Sequence, residues 1–207
     1  MIANAFVGAM VGLERTVMPD YAAERFHLQS TSVLLTFIAA FGFTKAVFNL
    51  ITGYLHQHTT RKNVLLIGWL AALPVPFLLM YATEWWMVIA ANILLGVNQG
   101  LAWSSTVIMK VDLVGAKNRG LAMGINEFAG YIAVGSAGYL ASTIAHQYGA
   151  GFYPFVPAIV FSVVGLLISW LFIRDTTHFI SAEQQSGTQT YFSSLWKEVS
   201  YKHFNMG

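Results

Sequence analysis

Glu14, Arg15, Lys45 and Glu127 are ionisable side chains set inside apolar stretches of this sequence. A full charge at the centre of a bilayer costs about 2.5–3.5 kcal/mol on insertion scales. Such groups are expected to face a polar cavity or a partner, not lipid. Their chemistry is the holding and moving of charge. Lys45 and Arg15 are candidates to bind a polar solute or act as counter-ions. Glu14 and Glu127 are candidates to carry a proton. The amides of Asn98 and Gln99 can hydrogen-bond a solute and join the first group. Each has a plainer alternative: an ion pair or snorkelling for Lys45, and an interfacial pair for Glu14 and Arg15. For Glu127, with Asn126 beside it, the alternative is a helix cap or a cytoplasmic pair. For the amides, and for Asn49, it is bridging between helices.

Covalent chemistry finds no support. Cysteine is absent, which removes thiolate nucleophiles, thiolate metal sites and disulfides. His56 and His58 sit two apart on one connector without a third ligand, and read as solvated loop histidines. No Ser-His-Asp pattern, phosphate loop or dinucleotide turn occurs. No enzyme, cofactor or metal is expected.

The elements that position these residues follow from composition. The chain has 207 residues, of which 56% are hydrophobic and only 10% charged. Soluble domains carry about 25% charged residues. The balance excludes a soluble enzyme and a disordered chain, and a net charge of +2 gives no reason to expect a nucleic-acid partner. A spanning helix needs roughly 20 mostly apolar residues. Six stretches qualify or nearly do: 2–19, 31–55, 63–82, 85–109, 120–145 and 153–173. They are about twice the length of a membrane strand and do not alternate, so the expected fold is an all-α integral membrane bundle of six transmembrane helices over residues 1–175. The first stretch lacks a basic leader and contains Glu14-Arg15, so it is not a cleaved signal peptide. It is also short and starts directly after Met1, so the natural chain is expected to begin further upstream, or Met1 to be an internal methionine.

Basic residues set orientation. Arg61, Lys62, Lys110, Lys117, Arg119, Arg174, Lys197 and Lys202 fall on one side, with only Arg25 on the other. The N-terminus and the tail are expected in the cytoplasm, in a bacterial inner membrane, with Trp85 and Trp86 at the outer interface. The tail, 176–207, reads as a cytoplasmic linker followed by an amphipathic stretch, with Phe192, Leu195, Trp196 and Val199 at helical spacing. That stretch can lie on the inner leaflet, pack on protein or lead into a further span.

The connector Gly53-Tyr-Leu55-His-Gln57-His58-Thr-Thr60-Arg61-Lys62 resembles the signature loop of the major facilitator superfamily, Gly-x-Leu-x-Asp-Arg-x-Gly-Arg-Arg/Lys. It sits between the second and third spans, as in that family. Gln57, His58 and Thr60 depart from the pattern. Gly96-x-x-x-Gly100, Asp112 and Arg119-Gly120-x-x-x-Gly124 are similar to the family's fourth-helix pattern and its entry to the fifth. Asn92 stands where that pattern usually has arginine.

The resemblance implies half of the family's fold, the N-terminal six helices as two inverted three-helix repeats. It implies a secondary transporter that moves a small-molecule substrate across the lipid bilayer by alternating access. Arg15, Lys45, Asn98 and Gln99 would line the path. Glu14 or Glu127 would couple transport to protons. Gly53, Arg61, Lys62, Asp112 and Arg119 would form a cytoplasmic gating loop, its acid supplied by Asp112. A second six-helix bundle, from a missing C-terminal half or a second copy, would be the partner. The rival reading is a non-transporting membrane subunit or anchor. Gly8/Gly12, Gly96/Gly100 and Gly120/Gly124 are expected to pack helices closely. Pro74, Pro76, Pro154 and Pro157 are expected to bend theirs.

Overall fold

The computed structural model describes residues 1–28 and 30–176. Helices α1 (Ile2–Phe26), α2 (Thr31–His58), α3 (Arg61–Ala72), α4 (Val75–Met80), α5 (Trp85–Asn98), α6 (Ser104–Tyr148) and α7 (Val156–Leu171) follow in order. A π-helical segment, Gln99–Trp103, joins α5 to α6, and a 3₁₀ turn, Tyr153–Phe155, precedes α7. There is no strand among the described residues. The tail expected to be a linker and amphipathic stretch, 177–207, lies outside them.

Five segments are long and apolar enough to cross a membrane: Thr31–His58, Arg61–Met80, Trp85–Val114, Asn118–Tyr148 and Tyr153–Leu171. Helix α1 is long enough at 25 residues but carries Glu14, Arg15, Asp20, Glu24 and Arg25. Protein rather than lipid covers much of it. It packs along α6 and α7 and buries Val7, Leu13, Val17, Met18 and Tyr21 in the core. The expected end at residue 19 falls short, because the helix runs through Pro19 to Phe26. Tertiary bonds hold that extension. Tyr21 donates to the Leu79 carbonyl at 2.5 Å, Arg25 Nε donates to the Ala82 carbonyl at 2.8 Å, and Glu24 accepts from the Ala150 N–H at 2.9 Å.

The expected loop at 110–119 is also largely helical. Within α6, Lys110 reaches Asn126, and Trp103, just before it, reaches Glu127 and Tyr131. A straight helix would separate the Trp103–Glu127 pair by roughly 36 Å and the Lys110–Asn126 pair by roughly 24 Å. The chain therefore doubles back between two arms, 104–114 and 118–148. The third span breaks where expected: α3 ends at Ala72, Pro74 caps α4, and Pro76 lies in its first turn. Proline supplies no N–H, and its ring disfavours continuation of the preceding turn.

Helix contacts run through glycine. A Cβ at Gly8 would collide with the Gly130 backbone, and one at Gly12 with Val134, so α1 seats directly on the second arm of α6. Gly96 and Gly100 seat that region on α2 at Phe41, Thr44 and Phe48. Gly120 and Gly124 face open space and pack nothing, contrary to expectation.

Candidate functional site

Arg15, Lys45 and Gln99 each fall near the midpoint of their spans in α1, α2 and the 85–114 segment. The fold brings them to one place. Lys45 Nζ lies 3.4 Å from Gln99 Oε1. The same ammonium sits 5.9 Å from the Phe41 ring centre and 5.4 Å from that of Trp103. Arg15 lies over the same Phe41 ring at 4.5 Å and over Phe37 at 5.0 Å. Such cation–π contacts hold a charge where water is scarce. Gln99 is anchored by its amide N–H, which donates to the Val7 carbonyl at 2.9 Å, so its oxygen is directed at Lys45.

The second arm of α6 closes the group. Glu127 accepts a hydrogen bond from the Trp103 indole at 2.8 Å and one from Asn126 at 3.5 Å. Trp103 also meets Tyr131 edge-on at 5.7 Å. Thus α1, α2, the π segment and the second arm of α6 each supply a polar or charged group. The π segment adds one residue to its turn, and such bulges recur at functional sites. Here it carries both Gln99 and Trp103.

Glu14 and Asn98 face elsewhere. Glu14 is 1% exposed, accepts a hydrogen bond from Asn92 at 2.9 Å and lies 3.6 Å from Arg15 Nε. Asn92, the departure from the family's arginine, is thus the partner of the buried carboxylate. Asn98 donates to the Gly68 carbonyl of α3 at 2.9 Å and is fully buried, so it bridges helices instead of facing the group around Lys45. Neighbouring helical residues point about 100° apart, which separates it from Gln99.

A second cluster forms at the basic end. Arg61 Nε lies 3.4 Å from Asp112, while its Nη1 donates to the His56 carbonyl at 2.7 Å. Thr176 donates to the same Asp112 oxygen at 3.0 Å. Lys62 donates through Nζ to the Trp170 carbonyl at 2.6 Å and through its backbone N–H to Asp175 at 3.3 Å. The loop therefore ties the start of α3 to the first arm of α6 and to the chain leaving α7. Gly53 faces open space, and Arg119 is exposed near the start of the second arm. His56 is not a solvated loop residue: it lies buried in the last turn of α2, 3.0 Å from the Ser105 hydroxyl. His58 is exposed and stacks on Tyr54.

Sequence reasoning missed Phe37, Phe41, Trp103 and Tyr131, which are unremarkable types in a membrane span. The one available signal was spacing: Phe41 is one helical turn from Lys45, and Trp103 is four residues from Gln99.

The sequence profile of the Major Facilitator Superfamily matches residues 1–204. A comparison with curated proteins found no match. Among solved structures, the inward-open xylose transporter XylE from E. coli superposes on 100% of this chain with a TM-score of 0.64 at 15% identity. The match covers 56% of that transporter, so this chain spans about half its length. A profile match over nearly the whole chain thus meets an all-helical bundle superposable on a transporter fold, and the chain belongs to the Major Facilitator Superfamily.

Proposed function

We propose that the chain is one six-helix half of a secondary transporter, and that the group around Lys45 is its solute site. The observation that carries this is the convergence of Arg15, Lys45 and Gln99 near the midpoints of separate spans, with Glu127 joined to them through Trp103. Polar groups at that depth are expensive unless they serve a solute path or an ion. Glu127 borders the site and Glu14 backs it through Arg15, so either carboxyl is a candidate to exchange a proton with each cycle.

Alternating access needs a second bundle to rock against. Helix α2 buries only Phe37, Thr52 and His56, and the second arm of α6 exposes Tyr131, Ser136, Tyr139 and Thr143. These two elements flank the site, and their exposed surface, apolar on α2 and mixed on the second arm, leaves a face against which a second bundle could pack. Either a continuation of the chain or a second copy would supply that bundle. On the positive-inside pattern the Arg61–Asp112 end is cytoplasmic, in a bacterial inner membrane, and its bonds would latch one of the two states.

The test is reconstitution of the full-length protein in liposomes holding a trapped pH dye, with sugars, amino acids, organic acids and amines offered outside. Solute flux with a matching pH change, lost in Glu127→Gln or Glu14→Gln, supports the reading. Flux without any pH change overturns the proton coupling alone. Absence of flux from a well-folded protein that purifies with a stable membrane partner would favour the accessory-subunit reading.

A further inference from the structure

We infer that the solute taken by this site is an organic anion with a flat, apolar body. The inference rests on the transport reading above and deepens it. The site's two cations hold few hydrogen bonds, although Arg15 pairs with Glu14, one of whose buried oxygens also has no hydrogen-bond partner. Both of its cations border the Phe41 ring, and they are close enough to repel one another. Arg15 Nη1 is buried with no hydrogen-bond partner. Lys45 Nζ has one long bond to a neutral amide, and among the described residues no carboxylate lies within 4.0 Å of it.

The carboxylates nearby are partly engaged. Glu127 accepts from Trp103 and Asn126 through one oxygen and attracts Lys45 only from beyond hydrogen-bond reach. Glu14 is sealed behind Arg15 against Asn92. A cationic solute would meet the unmatched Nη1 of Arg15 and the weakly bonded Nζ of Lys45, both positive. A neutral one would leave the guanidinium and ammonium without the charge-assisted bonds their geometry allows. A carboxylate or phosphate is complementary to both: a guanidinium binds it two-pronged, and an ammonium binds it as a point charge.

The rings specify the rest of the solute. Phe37 and Phe41 carry Arg15 on their faces, and Trp103 and Phe41 carry Lys45. An arriving anion draws the cations toward itself, and the vacated ring faces are then open to a flat apolar group. The resting cation–π contacts hold these faces ready, beside the ion pair that Arg15 makes with Glu14.

The experiment uses benzoate, benzyl alcohol and benzylammonium, which share one ring and differ in charge. Binding is read by saturation-transfer NMR on the full-length protein in nanodiscs, with empty nanodiscs as the blank. Benzoate should bind about tenfold more tightly than either analogue, the equivalent of one charge-assisted hydrogen bond. Lys45→Gln and Arg15→Gln should each remove that preference, and Lys45→Gln carries the test alone if Arg15→Gln fails to fold. Equal or better binding of benzylammonium or benzyl alcohol overturns the inference, as does no benzoate signal or benzoate binding indifferent to Lys45→Gln. Benzoate-selective binding without benzoate flux in liposomes would leave the anion site standing and overturn the transport reading.

Discussion

Beside its ion pair with Arg15, Glu14 has one hydrogen-bond donor among the described residues, the Asn92 amide. Its carboxylate is enclosed, and the Asn92 amide bonds it at 2.9 Å. Asn92→Leu would keep the volume and remove the donor. Leaving a buried acceptor unmatched costs about 1–3 kcal/mol, and more when it is charged. The variant is expected to unfold several degrees lower than wild type in a detergent thermal melt. Glu14→Gln added to Asn92→Leu should recover part of that loss, since the group left unpaired is then neutral. A double variant as unstable as the sum of the singles would show that the two side chains act independently. The same scale shows what polarity alone reveals. Glu14, Arg15, Lys45, Gln99 and Glu127 were visible in sequence because each interrupts an apolar run. Asn98 and Gln99 were indistinguishable, because a rotation of about 100° decides which faces Lys45. Asn92 stands out in the sequence only as a missing arginine, and nothing local encodes its bond to Glu14. Trp103 and Phe41 gave no local signal, since aromatic residues are common in any span.

At the level of the element, glycine spacing found the right motif and could not say which copies are used. Gly12 meets the Val134 backbone, so a larger side chain there must push α1 away from α6. Gly12→Leu is therefore expected to abolish a monodisperse peak in detergent size-exclusion chromatography. Gly124 carries the same motif in open space. Gly124→Ala should be tolerated, and the added helix propensity of about 0.5–1 kcal/mol should hold or raise the melting midpoint. If both substitutions were equally harmful, the packing described here would be wrong. Five spans were legible because apolar length is a direct physical requirement of the bilayer, whereas α1 carries too many charges to qualify on that ground. Their ends were not. Helix α1 continues past Pro19 because Tyr21, Glu24 and Arg25 bond to distant carbonyl and N–H groups, and no local signal encodes those partners. That extension also changes depth. Glu14 and Arg15, near an end on a 2–19 boundary, become central on a helix that reaches Phe26.

Across the whole molecule, the two polar clusters occupy different levels of one bundle, and the basic end is the more strongly tied. Arg61, Asp112 and Thr176 join α3, the first arm of α6 and the exit from α7. Lys62 adds a second tie to the last turn of α7 through the Trp170 carbonyl. An exposed ion pair contributes about 0–1 kcal/mol, but this pair is only 11% exposed on either side and shares its partners. It should therefore resist separation of these three segments. The absence of native cysteine allows a clean test. Met109, buried on the first arm of α6 beside this cluster, can be replaced by cysteine as the one thiol in the chain. Its maleimide labelling in membranes should be slow with the cluster intact and several-fold faster in Asp112→Asn, which loses the ion pair and weakens the Thr176 bond. Arg61→Asp combined with Asp112→Arg restores opposite charges but not the Arg61 bond to the His56 carbonyl at 2.7 Å. The exchanged pair should thus label at an intermediate rate. Full recovery would assign the restraint to charge alone. Labelling as fast as Asp112→Asn would assign it to the directional bonds that Arg61 makes at the end of α2. An unchanged rate in Asp112→Asn would show that this end is held by packing, and the cluster would then lose its claim to gate anything.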